Sequence, residues 1–196
     1  MDAWVKVDDA DIRGALLRLQ AFGADTTPAM RDIAAIGEAT TRMRFRTGID
    51  PDGRPWKVSN RVAESGGRTL TLDGHLGDSV SSRYGRRNAE WGVNRVYAAM
   101  MQFGGVVVPR KSRYLSVPLT TKARVAGSPR HYEGKLVFIE TEHGKFLYDP
   151  DSETAQYVLL RKVTIPARPF LGLSRDDRED ILDALQSRIE GAARAH

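Results

Sequence analysis

The sequence predicts an α+β fold, with N-terminal helices and a C-terminal helix packed on an antiparallel β-sheet and an extended β-hairpin lobe. Apolar residues recur at helical spacing over 8–46 and again over 174–191, whereas short alternating or β-branched runs fill 79–94 and 106–165. Pro, Gly and Asn punctuate the joints between them. The chain has 196 residues, the length of one domain. It therefore reads as a single domain, 1–196, with 106–164 as a β-rich lobe inserted within it.

The segment Asp8 to Phe22 places Ile12, Leu16, Leu17 and Leu19 on one side of a helix, with Asp8, Asp9 and Asp11 at the end where the helix dipole favours acids. Gly23 stops it. A second helix opens at Thr27-Pro28, good chemistry for a cap and a first helical position. It runs to about Arg46 and turns Met30, Ile33, Ala34, Gly37, Thr41 and Phe45 inward. Arg42, Arg44 and Arg46 suit its negative end, and Gly48 terminates it.

Pro51, Gly53 and Pro55 then force turns, and Trp56 follows as a plug beneath the loop or, on the other reading, as a solvent-facing recognition residue. A polar link through Ser65-Gly66-Gly67 leads to a short turn at Leu70–Leu76. Alternation of Val80, Ser82 and Tyr84, and of Ala89, Trp91 and Val93, predicts a hairpin of 79–85 and 89–94 through Gly85-Arg86-Arg87-Asn88. Tyr97–Gly105 reads as a short helix with a glycine stop, its Gln102-Phe103-Gly104-Gly105 a buried helix end with a tight exit.

Strands follow at Val106–Val108, Tyr114–Leu119, Leu136–Glu140, Phe146–Tyr148 and Tyr157–Thr164, the third and fourth forming a hairpin around Thr141–Gly144. Ser174 caps a last helix, with Asp177 completing a capping box. Ile181, Leu182, Leu185 and Ile189 line one face of that helix through to Gly191.

Composition narrows the function. Hydrophobic residues make up 41% and charged ones 28%, the balance of a globular chain. There are no cysteines, which excludes disulfides, thiolate metal sites and a thiol nucleophile. No run approaches the roughly 20 apolar residues of a membrane helix, and the polar, acidic start does not read as a signal peptide. No membrane association is expected.

Thirty Lys plus Arg against twenty-five Asp plus Glu give a net charge of +5. The bases concentrate in 110–135, as Arg110, Lys111, Arg113, Lys122, Arg124, Arg130 and Lys135. That stretch reads either as a solvated face or as a contact for a polyanion or an acidic partner. A basic nucleic-acid-binding module using 110–135 is the alternative function.

The usual constellations of catalysis are missing. The four histidines, His75, His131, His143 and His196, form no pair at metal-ligand helical spacing. Asp73 and His75 flank a glycine, a turn more than a dyad. The acids Glu140, Glu142, Asp149, Asp151 and Glu153 do not match a calcium loop. No phosphate-loop, dinucleotide or nucleophile-elbow pattern occurs. The chain is therefore expected to be no enzyme, with no cofactor, no bound metal and no small-molecule substrate.

Taken in order, several segments resemble one family. A helix ending in Arg44-Phe45 precedes Pro51-Asp52-Gly53-Arg54-Pro55-Trp56, then Leu72-Asp73-Gly74-His75-Leu76-Gly77-Asp78-Ser79-Val80. After these come Tyr97-Ala98-Ala99-Met100-Met101-Gln102-Phe103-Gly104-Gly105 and Ile165-Pro166-Ala167-Arg168-Pro169-Phe170-Leu171-Gly172-Leu173-Ser174. Over about 28–190 the chain resembles the phage virion morphogenesis family, tail completion proteins of Mu-like and related contractile-tailed phages. It departs from that pattern at Met101, where the family usually carries His, and 106–164 is longer than in compact members.

The resemblance implies a structural protein of tail completion and head–tail joining at the neck, with other neck and tail subunits as partners. It implies a homo-oligomeric ring, a hexamer by the sixfold symmetry of contractile tails, with contact to DNA in the channel as a further option. Location in the virion, assembled in the bacterial host cytoplasm, follows from the same likeness. Arg168, between two prolines on a rigid segment, and Phe170, which anchors that segment, are the first interface candidates, Arg168 for a carboxylate partner or for an intramolecular one. Arg110, Lys111, Arg113, Lys122, Arg124 and Arg130 complete the expected interface.

Overall fold

A computed structural model describes residues 3–6, 9–21 and 25–194. The chain opens with strand β1 (Ala3–Lys6), then helices α1 (Ala10–Ala21) and α2 (Thr27–Thr47). Two short helices, α3 (Asn60–Ser65) and α4 (His75–Asp78), precede the hairpin β2 (Val80–Tyr84) and β3 (Ala89–Val93), and α5 (Ala98–Phe103) follows. Next come β4 (Gly105–Val107), β5 (Leu115–Pro118), α6 (Thr121–Ala126) and a 3-10 turn at Pro129–His131. Strands β6 (Val137–Thr141), β7 (Gly144–Asp149), β8 (Thr154–Leu160) and β9 (Val163–Ile165) lead to the last helix, α7 (Arg175–Arg194).

The class is α+β, with helices at both ends and antiparallel sheets between. The described residues form two compact units, one from Met1–Gly104 with Pro166–His196, the other from Gly105–Ile165.

In the first unit a three-stranded antiparallel sheet runs in the order β1-β3-β2. Helix α2 packs on β2 and β3 and against α7, which also meets α1. The inward stripe of α2 is the expected one, since Met30, Ile33, Ala34, Gly37, Thr41 and Phe45 are all buried. Arg44 joins them, a charge on a core face whose partner is described below. Gly48 closes α2 in the left-handed conformation, with φ 72° and its N–H on Arg44 O at 2.7 Å. Trp91, Val80, Val93, Ile33, Phe170, Ile181 and Leu185 form the centre of this core. Trp56 is buried in the same core as the expected plug, edge-on to Phe45 at 5.6 Å.

The second unit holds a four-stranded antiparallel sheet in the order β5-β8-β7-β6 and a separate pair, β4 with β9. Its small core centres on Ala123, Tyr132 and Tyr157.

Several expectations are corrected. Residues 79–94 and 106–165 do not share one sheet; among the described residues the strands form three sheets. Gly104 and Gly105 take positive φ, 69° and 156°, which ends α5 and starts β4 on a new course, and Pro166 has no N–H to extend the ladder beyond β9. The basic stretch is not wholly β, because Thr120 caps α6 by accepting the Ala123 N–H at 3.1 Å. Helix α7 does not stop at Gly191 but runs to Arg194. The first helix ends at Ala21 among the described residues, and Phe22 and Gly23 lie outside them. Strand β1 and helix α3 are additions.

Candidate functional site

The segment Pro166–Leu173 is a strap held from three sides. Gln102, at the buried end of α5, donates from Nε2 to Leu171 O at 2.9 Å, and its Oε1 accepts the N–H groups of Phe170 and Leu171 at 2.9 and 3.0 Å. One amide thus replaces the strand partner that an extended backbone would otherwise need. The Arg168 N–H donates to Met101 O at 2.8 Å, and Trp56 Nε1 donates to Pro169 O at 2.7 Å.

Arg44 closes the third side. Its Nη1 donates to Phe170 O and Gly172 O at 3.2 and 3.0 Å, and its Nη2 pairs with Asp177. Asp177 also accepts the Ser174 N–H at 2.8 Å while its own N–H donates to Ser174 Oγ at 3.0 Å. The expected capping box is therefore present, and it also carries the counter-ion of a buried arginine.

Of the interface candidates, Phe170 is wholly buried and packs on Phe45 at 5.2 Å, so it anchors the strap and offers no surface. Arg168 is only 6% exposed. Its Nε donates to Lys57 O at 2.7 Å, and burial lowers its proton affinity. Phe103, expected in a buried helix end, points to solvent at 74% exposure while Gln102 beside it is buried.

Beside this strap two of the sequence segments meet around an open groove of about 260 Å³. Leu70, Leu72, Asp73 and His75 contribute one wall, Tyr97 and Met101 of the α5 segment another, and Ser59 and Arg61 of the α3 region complete it. Leu72 and Tyr97 are 68% and 41% exposed, beside the polar Ser59, Arg61, Asp73 and His75. Asp73 and His75 share the groove, and no hydrogen bond between them occurs among the described residues.

The six bases expected in the interface are dispersed. Arg110, Lys111 and Arg113 lie exposed in the loop between β4 and β5, and Arg130 is exposed on the 3-10 turn. Lys122 and Arg124 sit on α6. Lys122 lies 3.7 Å from Asp149 and 4.5 Å from the Tyr132 ring centre, so part of its task is local. Arg124 reaches Leu119 O at 3.4 Å.

Asp149 is almost fully buried and accepts the Tyr132 hydroxyl at 2.6 Å, a bond that lowers its pKa, while burial raises that of Tyr132. Glu140 pairs with Lys145 at 2.6 Å. Among the described residues no group of three or more His, Asp or Glu side chains is placed to hold a metal ion, and no helix is long and apolar enough to cross a membrane.

From the sequence alone Arg44 has only a place at the basic end of α2, and Leu72 and Tyr97 only places in a turn and a short helix, with no functional role for any of them. Only Arg44 gave a signal, as a charge three residues after Thr41 on an otherwise inward stripe.

The model of the phage virion morphogenesis family matches residues 7–190, which takes in the strap, the groove and the β-rich unit. This chain belongs to the phage virion morphogenesis family. It is 29% identical over 184 residues to the Mu-like prophage FluMu G protein 2 of Haemophilus influenzae, covering 93% of this chain and 92% of that one. It is 25% identical over 195 residues to the "Putative capsid assembly protein G" of Escherichia phage Mu, covering 94% of each. No solved structure matches. As a member of the virion morphogenesis family the chain is a component of phage assembly. Met101, read from the sequence as a departure from the family pattern, lines the groove as an apolar side chain.

Proposed function

We propose that this protein completes the tail and joins it to the head, at the neck of the virion, by protein–protein contact and without catalysis. The observation that carries the reading is the exposed groove around Leu72 and Tyr97, whose wall residue Met101 accepts the Arg168 N–H of the strap that Gln102, Trp56 and Arg44 hold. Rigid backing matters because an interface on preorganised elements loses little entropy when it forms. The capsid-assembly name carried by the phage Mu relative supports a place where head and tail meet. In this reading the partners are other neck and tail subunits, and copies of the protein form a closed ring, a hexamer on the sixfold tail axis, through head-to-tail contacts. The 105–165 unit is an inserted lobe that supplies further contact, and assembly takes place in the host cytoplasm before the protein is retained in the virion.

Lysates of the phage deleted for this gene test the proposal in electron micrographs. Full heads and tails lying separate are expected, and attached, infectious particles would overturn it. Light scattering that found a strict monomer, with and without tail components, would remove the ring.

A second reading rests on the exposed Arg110, Lys111, Arg113 and Arg130. These could contact DNA in the channel, and duplex binding that falls steeply with salt would support that role. No gel shift at low salt would dispose of it.

A further inference from the structure

Two arginines are buried here, Arg44 beside the strap and Arg168 within it, and their surroundings differ. Arg44 has Asp177 as counter-ion and two backbone carbonyls besides. Arg168 has one carbonyl, Lys57 O, on its Nε. Among the described residues no carboxylate forms an ion pair with the Arg168 guanidinium, and burial lowers its proton affinity. Its Nη atoms are not among the buried polar atoms that lack a partner, so they reach the surface through the small opening that its 6% exposure represents.

A guanidinium so placed is costly in the isolated chain. Desolvating a cation without a counter-charge is what makes a half-broken buried pair destabilising. The side chain is also fixed in place. Pro166 and Pro169 restrict the strap on both sides, the Arg168 N–H is tied to Met101 O at 2.8 Å, and Pro169 O to Trp56 Nε1 at 2.7 Å. What remains open is the flat, forked Nη edge.

We infer that Arg168 is a carboxylate socket, filled by an acidic side chain of another virion subunit when the protein docks. A carboxylate matches the fork with two parallel hydrogen bonds and supplies the missing charge. A phosphodiester chain fits less well, because polyanion sites gather several exposed cations, whereas Arg168 is itself buried, at 6% exposure. The inference rests on the assembly reading for the identity of the partner, but its test uses the isolated, full-length protein and no virion. Failure of one is thus distinct from failure of the other.

All three tryptophans, Trp4, Trp56 and Trp91, lie in the unit that contains Arg168, so tryptophan fluorescence reports its unfolding. Arg168→Met removes the charge, and Arg168→Gln removes it while keeping an N–H donor. Replacing an uncompensated buried charge is expected to raise the thermal midpoint of at least one variant, by about 3 °C. Exchanging chloride for acetate at fixed ionic strength is expected to raise the midpoint of the unmodified protein more than that of either variant. A fall in both midpoints, the sign of a purely structural arginine, would overturn the inference, as would an equal acetate response in all three proteins. A larger arginine-dependent gain in inorganic phosphate than in acetate would overturn the carboxylate assignment and point to nucleic acid.

Discussion

Gly37 of α2 and Trp91 of β3 meet so closely that a Cβ on Gly37 would fall 2.3 Å from Trp91 Cδ2. The indole is wholly buried. This contact sets the distance between the central helix and the sheet of the first unit.

Gly37→Ala is therefore expected to destabilise that unit, although alanine favours a helix over glycine by about 1 kcal/mol. Overpacking of a filled core costs about 1–3 kcal/mol, and so close an approach belongs at the upper end. Chemical unfolding followed by tryptophan fluorescence gives the answer. An unchanged or raised stability would show that helix and sheet can separate freely.

The Arg44–Asp177 pair ties α2 to the start of α7 and holds the strap between them. Asp177→Ala leaves Arg44 buried with two carbonyls and no counter-ion, at an expected cost of about 3–5 kcal/mol. The thermal midpoint should fall by roughly 10 °C. Arg44→Met with Asp177→Leu should recover much of that loss, because the two desolvation penalties then vanish together. A double variant no better than the single one would place the effect in the lost cap or the freed strap carbonyls instead.

In the second unit the Tyr132 hydroxyl bond lowers the pKa of Asp149 below its ordinary 3.8. A depressed folded-state pKa contributes stability that is fully present above 3.8 and is lost as pH falls through the folded value. Acid should thus loosen this unit only below about pH 4. Hydrogen exchange at the Asp151 N–H, which donates to Asp149 Oδ1 at 3.0 Å, reads the change locally. Tyr132→Phe should reduce the acid dependence, and an identical pH profile in that variant would contradict the assigned cause.

Much of this architecture was legible in the residues. The stripe from Met30 to Phe45, the hairpin through Gly85–Asn88 and the Ser174–Asp177 box each depend on neighbours in sequence, and each is found. Strand β1 was not legible because its place depends on a distant vacancy. A Cβ on Gly92 would lie 2.4 Å from Ala3 O, so β1 docks only where β3 lacks a side chain. Helix α6 is six residues within a basic run, too short to show a period. The clamp of Gln102 on the strap joins segments 68 and 69 residues apart, a match that no local pattern encodes. The groove is hidden for the same reason, since Leu72 and Tyr97 become neighbours only after folding.

The exposed groove gives the most direct measurement. Heads and tails from a phage lacking this gene are mixed with purified protein, and infectious particles are counted. The unmodified protein is expected to restore joining. Leu72→Asp, which buries a charge in any contact made there, is expected to lower the titre at least a hundredfold while leaving the thermal midpoint within a degree or so, because the side chain is exposed. Joining that proceeds without added protein, or with Leu72→Asp as well as with the unmodified chain, would contradict the account.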